Sequence, residues 1–234
     1  MKTIRVRSGP FSERPHFKLG EIERMCVQEL RAAGLLPTEP SPVRIERFIE
    51  RRFGVSPRYE ELPEGVLGFT KFGQRGVTEV VIAAQLDSDA SPVAQRRLRS
   101  TLAHEAGHGL LHTYLFALGT KPASLLGEKD TKPHILCRDV EGEHGHGGHG
   151  YDGRWWEFQA NRAIGGFLLP RTLVEKACEP FLVGAGQLGM KQLPDSNRIA
   201  AVKALADIFD VNPAVVRIHL AELFSSQASG QLNL

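Results

Sequence analysis

His104-Glu105-Ala106-Gly107-His108, inside the run LAHEAGHGLLH from Leu102 to His112, is the stretch that decides how this chain folds. On a helix, positions i and i+4 lie about 40° apart around the axis and one turn apart along it. His104 and His108 can therefore direct two imidazoles at a single ion. Glu105, about 100° further round, can reach a water bound to that ion. Two neutral nitrogen ligands, an open coordination position and a carboxylate base beside it are what zinc-assisted hydrolysis requires. The plainer reading is two structural histidines on a half-buried helix. The context favours the metal. Ser91-Pro92 opens a helical pattern reaching about Leu118, with an apolar stripe of Val93, Leu98, Leu102, Ala106, Leu110 and Leu111 on both sides of the motif. Gly107 is expected to leave space beside the ligands.

A catalytic zinc needs a third protein ligand. Glu157 heads a second amphipathic pattern, WEFQANRAIGGFLLP, and Asn161 lies four residues later on the same face. A carboxylate there completes a set of two histidines and one glutamate, and Asn161 can hydrogen-bond a ligand histidine from behind. The rivals are Asp152 and the loop histidines of GEHGHGGHGYDG, with His149 foremost because it lies just upstream of the second helix. Glu157 is preferred, since a helix holds a ligand more rigidly than a Gly-rich loop. Tyr151 and His149 remain candidate transition-state stabilisers, as donors set opposite the base. His112 has drifted about 80° from His104, so it is expected to pack or hydrogen-bond rather than share the ion. Cys137, in HILCRDV, can reach zinc as an inhibitory thiolate, but an ordinary loop cysteine is the favoured reading. The Gly/His stretch 141–150 is read as a flexible polar loop ahead of a second metal site or a pH-sensitive flap.

Outside these motifs the chain reads as mostly helical. Residues 1–18 are polar and Pro-containing and read as a flexible arm. From Leu19 to Ala33, Ile22, Met25, Cys26, Leu30 and Ala33 recur at helical spacing, and Gly34 stops them. Pro42 to Phe53 repeats the pattern, with Gly54 as its stop. Val66 to Phe72 and Val77 to Ala84 are β-prone runs joined by Gly73-Gln74-Arg75-Gly76, a hairpin signature. Residues 119–153 carry Gly, Pro and His without periodicity, and a loop this long is usually functional or mobile. Ser196 to Phe209 and Pro213 to Phe224 form a closing helix pair, with Asn212 suited to the N-cap and Pro213 to the first turn.

A chain of 234 residues is long enough for one good-sized core. Its net charge of +2 gives no general attraction to nucleic acid or anionic lipid. No apolar run approaches the ~20 residues of a membrane span. MKTIRVRSGPFSERP has basic residues with no apolar stretch behind them, unlike a secretory signal. Cys26, Cys137 and Cys178 are an odd, sparse set that suits a reducing cytoplasm.

LAHEAGHGLLH, followed by Glu157, the pair Ala160-Asn161 and then Leu168-Leu169-Pro170, resembles the ImmA/IrrE metallo-endopeptidases, which are of the gluzincin type. The likeness covers roughly residues 20 to 225. It implies an α+β, mostly helical zincin-like fold with a small β-sheet or hairpin and a C-terminal helix-turn-helix-like pair. It implies His104, His108 and Glu157 as ligands of one catalytic zinc ion and Glu105 as the base. It also implies cytoplasmic cleavage of a DNA-binding transcriptional repressor. The domains are then 1–18, the arm; 19–190, the metallopeptidase with its 119–153 loop; 191–226, the helix-turn-helix-like element; and 227–234, a tail. The chain departs from the family in three places. Ala163 and Ile164 stand where phenylalanine and alanine are usual, Leu169 replaces a methionine, and Glu157 lies 49 positions after His108.

Residues 195–226 hold Arg198, Lys203 and Arg217 against Asp195, Asp207, Asp210 and Glu222, a net of −1. A DNA reader needs a basic face, so direct nucleic-acid binding is not expected, and packing or protein docking is. The competing function is a non-catalytic regulator that binds DNA or a partner on a peptidase scaffold. A degenerate relative of that kind is expected to lose the base or a ligand, and all of them are present here.

Overall fold

The computed structural model describes residues 2–5, 13–73, 75–117, 134–138, 155–185 and 190–224. They form an α+β fold, mostly helical, with a small mixed sheet. Within the N-terminal stretch, β1 (Lys2–Arg5) pairs antiparallel with β2 (Glu13–His16), a ladder that its polar sequence does not announce. Helices α1 (Leu19–Ala32) and α2 (Ile45–Phe53) follow. Gly34 and Gly54 lie at their ends with φ of 65° and 72°, the left-handed stop expected of them. Helix α2 starts three residues later than the sequence pattern does, and Val43 is buried ahead of it.

The sheet combines β3 (Arg58–Glu60), β4 (Val66–Gly73), β5 (Gly76–Ala83) and β6 (His134–Arg138) in the order β3-β5-β4-β6. β4 and β5 are the expected hairpin, and Gly73 faces Gly76 at its tip. β3 joins β5 in parallel, and β6 joins the other side of β4 antiparallel. β6 lies inside the segment that reads as an aperiodic loop. Its partner is far away in sequence, so no local pattern announces it.

A short helix α3 (Ala84–Ser88) leads into α4 (Pro92–Ala117), the longest described helix. Then come α5 (Trp155–Leu168), α6 (Arg171–Cys178), a one-turn 3-10 segment, the small pair β7 (Val183–Ala185) and β8 (Met190–Gln192), and finally α7 (Asp195–Phe209) and α8 (Pro213–Leu223). Asn212 caps α8 by accepting from the Ala214 N–H, with Pro213 in the first turn. Val211, Val216 and Leu220 share one continuous core with Ile22, Ala106 and Phe167, so the closing pair packs with α1, α4 and α5. Arg96 reaches Asp207 at 2.9 Å and Asp210 at 3.2 Å, and Arg99 reaches Asp210 at 3.0 Å, which ties α7 to α4. Among the described residues, no helix is long and apolar enough to cross a membrane.

Helix α4 is sandwiched between β4 and β5 on one side and α5 on the other. From Thr101 to Gly109 every side chain is buried, polar ones included. Gly107 has a different purpose from the one its sequence position suggests. A Cβ there would meet Ala163 Cβ at 2.8 Å and the Ala160 backbone at 3.2 Å. The missing side chain makes room for α5, not for a ligand beside the histidines. Gly107→Ala should therefore destabilise the fold by about 1–3 kcal/mol through overpacking, despite alanine's better helix propensity. Urea unfolding of the two proteins checks this, and an unchanged or higher stability would show that α5 yields without cost.

Candidate metal centre

The approach of α5 to α4 carries Glu157, in the first turn of α5, to the two histidines of α4. His104 Nε2 and His108 Nε2 are 2.9 Å apart. Glu157 Oε2 lies 3.1 Å from the first and 3.5 Å from the second. Three ligand atoms from two helices thus converge on one point, and the group can hold a metal ion. The histidine side chains are buried, while Glu157 keeps 16% of its side chain exposed, so α5 supplies the ligand nearest solvent.

The hydrogen bonds behind this cluster decide where its lone pairs point. Asn161 Oδ1 lies 2.9 Å from His104 Nδ1, so Nδ1 carries the proton and Nε2 presents a lone pair. His112 Nε2 lies 3.2 Å from Gln159 Oε1, which can only accept. Neutral His112 then accepts at Nδ1 from His108 Nδ1, 3.0 Å away, leaving His108 Nε2 bare as well. His112 is neutral because burial, with help from His108, pushes its pKa well below the ordinary imidazole value. Burial also lowers the His108 pKa, against the pull of Glu157. Burial alone would raise the Glu157 carboxyl. When the facing rings carry protons at Nε2, attraction to His108 and hydrogen bonds from both histidines outweigh burial and hold Glu157 well below the carboxylate range; a cation between the groups takes the place of those protons. Two lone pairs and a carboxylate oxygen within 3.5 Å of one another repel unless a cation lies between them.

Glu105 is buried on the sheet side of α4. Thr70 Oγ1, from the middle of β4, lies 2.8 Å from Glu105 Oε2 and 3.2 Å from the Glu105 carbonyl oxygen, and its one proton serves these acceptors. Thr70 and Gln159 do not stand out in the sequence. The available sign was a polar residue at an inward register, Thr70 between Gly68 and Phe72 on β4, and Gln159 one turn after Trp155 on α5. Trp155 also packs edge-on against His112, centroids 5.6 Å apart. His149, Tyr151 and Asp152 lie outside the described residues. Cys137 lies in β6, its backbone opposite Gly68.

A second group, Glu23, His219 and Glu222, lies on another side of α5. Arg162 forms an ion pair with Glu222 there. A guanidinium already supplies the positive charge that a metal would bring, so this cluster reads as a structural network. Gly165 makes room for His219, since a Cβ would meet its Nδ1 at 2.8 Å. No family model matches the sequence, and no curated protein does.

Burial pushes His219 down to about 4, reinforced by Arg171 and Arg162 and opposed by a hydrogen bond with the Leu169 backbone. Its unfolded value is about 6.5, so between those limits the unfolded chain binds the extra proton. Stability from this residue is therefore complete above about pH 6.5 and is lost as pH falls toward 4. In EDTA, the wild type should lose up to about 3 kcal/mol more than His219→Gln between pH 7 and pH 4. Denaturant titrations at each pH measure this, and parallel profiles would contradict it.

Proposed function

We propose that this protein is a zinc-dependent endopeptidase of the ImmA/IrrE kind, with His104, His108 and Glu157 as zinc ligands and Glu105 as general base. The observation that carries the reading is the convergence of the two Nε2 atoms and Glu157 Oε2 at 2.9, 3.1 and 3.5 Å. Tetrahedral zinc with bonds of about 2.0–2.1 Å separates its ligand atoms by about 3.3 Å. The donor set, two imidazoles and one carboxylate, suits a catalytic zinc rather than a structural one, which takes four protein ligands.

When bound there, zinc polarises a peptide carbonyl and makes water a nucleophile at neutral pH. The chain's own groups do the rest. Glu105 takes the proton of the attacking water and hands it to the leaving amine. Thr70 donates to Glu105 Oε2 and fixes which way the carboxylate faces. Asn161, and His112 through Gln159, hold the histidines in the tautomer that turns Nε2 to the ion. The remaining parts of the proposal rest on the resemblance alone: a cytoplasmic location and, as substrate, a DNA-binding repressor. A non-catalytic DNA-binding role finds less support, because Arg198 is engaged by Asp195 and the Phe224 carbonyl.

Purified protein should carry about one zinc per chain by elemental analysis. Glu105→Gln should keep that zinc and lose roughly 10²–10⁴-fold in peptide cleavage. Zinc-free wild type after metal reconstitution, or undiminished cleavage by the variant, rules out the reading. Asn161→Ala should keep the ligands yet weaken zinc affinity roughly 10–100-fold, as read by chelator competition. Wild-type affinity would mean that Asn161 does not position His104.

A further inference from the structure

Strand β4 is the part of the sheet that touches the catalytic groups, through Thr70 and Glu105. One side of β4 is paired with β5, and the other, among the described residues, with β6. Without β6, β4 would present an open ladder of N–H and C=O groups beside the candidate centre. Extended peptides bind such edges by adding a strand. β6 does this from within the chain: it runs antiparallel to β4, with Ile135 opposite Thr70 and Leu136 opposite Phe69. It also packs on α4. In sequence it lies between His108 and Glu157, so both of its ends are tethered to the helices that carry the ligands.

We propose that β6 occupies the position of a substrate strand, so that an extended polypeptide pairs with β4 only after β6 leaves. This rests on the peptidase reading and adds its regulation. One observation favours a displaceable occupant over a permanent wall: Thr70 and Glu105 are both fully buried in this closed arrangement, and a base must reach the water it deprotonates.

The test uses the full chain loaded with zinc and fluorescein-labelled casein as an extended polypeptide. Lys71 and His134 face each other across the two strands, so Lys71→Cys with His134→Cys, in a Cys137→Ser background, can tie β6 down by a disulfide. The oxidised form should cleave at least tenfold more slowly than the same protein reduced, while Cys137→Ser alone should not respond to reductant. Ile135→Pro combined with Leu136→Pro removes pairing N–H groups whichever of the two faces β4, and should cleave at least tenfold faster than wild type. Equal rates for oxidised and reduced forms, or no gain from the prolines, overturn the proposal. If all forms cleave equally, the strand proposal alone fails. If none cleaves although each binds zinc, the peptidase reading fails with it.

Discussion

The contact that the rest of the molecule depends on is the close approach of α4 and α5 at Gly107. Glycine on α4 faces Ala160 and Ala163 on α5, and these small residues let the two backbones come together. Their separation sets the distance from Glu157 to the histidines, because each ligand is carried by one of the two helices. Neither helix can move without disturbing other packing. α4 is backed by the sheet, and α5 is held by α1 and α8 through Gly166 against Cys26 and Gly165 against His219. A centre built from three side chains is thereby as rigid as the core around it.

Burying so many polar groups in one layer is costly unless each has a partner. Here the partners form directed chains. One runs from Gln159 through His112 to His108, and another joins Asn161 to His104. Each chain ends at an Nε2 lone pair pointed at the same place. At the convergence point the ends of these chains meet the Glu157 carboxylate, a group that can hold a metal ion. The cluster around His219 shows the opposite arrangement, since Arg162 brings the cation from within the protein. The same residue types, Glu and His, thus serve two different ends according to whether a basic side chain is among them.

Features with a local cause could be read in the sequence, and those with a distant cause could not. The i, i+4 spacing of His104 and His108, the glycine stops at Gly34 and Gly54, the hairpin around Gly73 to Gly76 and the Asn212-Pro213 cap all depend on neighbours within a few residues. Glu157 could be preferred over loop rivals because it lies on a helix, although nothing in the sequence showed how close that helix would come. The role of Gly107 is ambiguous in sequence for this reason: space beside a ligand and space for a helix look alike in one dimension. Thr70 carries no sequence signal, because a single threonine in an apolar strand means nothing until α4 is laid across it. β6 was hidden most completely. Its residues pair with β4 across more than sixty positions, and the surrounding Gly- and His-rich composition masks a five-residue strand.

The cost of removing β6 decides whether the sheet edge acts as a gate or as a wall. Its backbone bonds to β4 are few, and at about 0.5–1 kcal/mol net for each of several bonds they amount to roughly 2–5 kcal/mol. A barrier of that size leaves roughly one molecule in thirty to one in several thousand with the edge open, and apparent substrate affinity falls by the same factor. β5, by contrast, is held by more than its backbone bonds, since it contributes Val80, Val81 and Ile82 to the interior. β5 is paired on both sides, whereas β6 is paired on one. A five-residue strand at the margin of the sheet, paired on one side, is held there by fewer backbone bonds than β4 or β5. A substrate strand with a longer, unbroken match to β4 needs to better it by only a few kcal/mol to take its place.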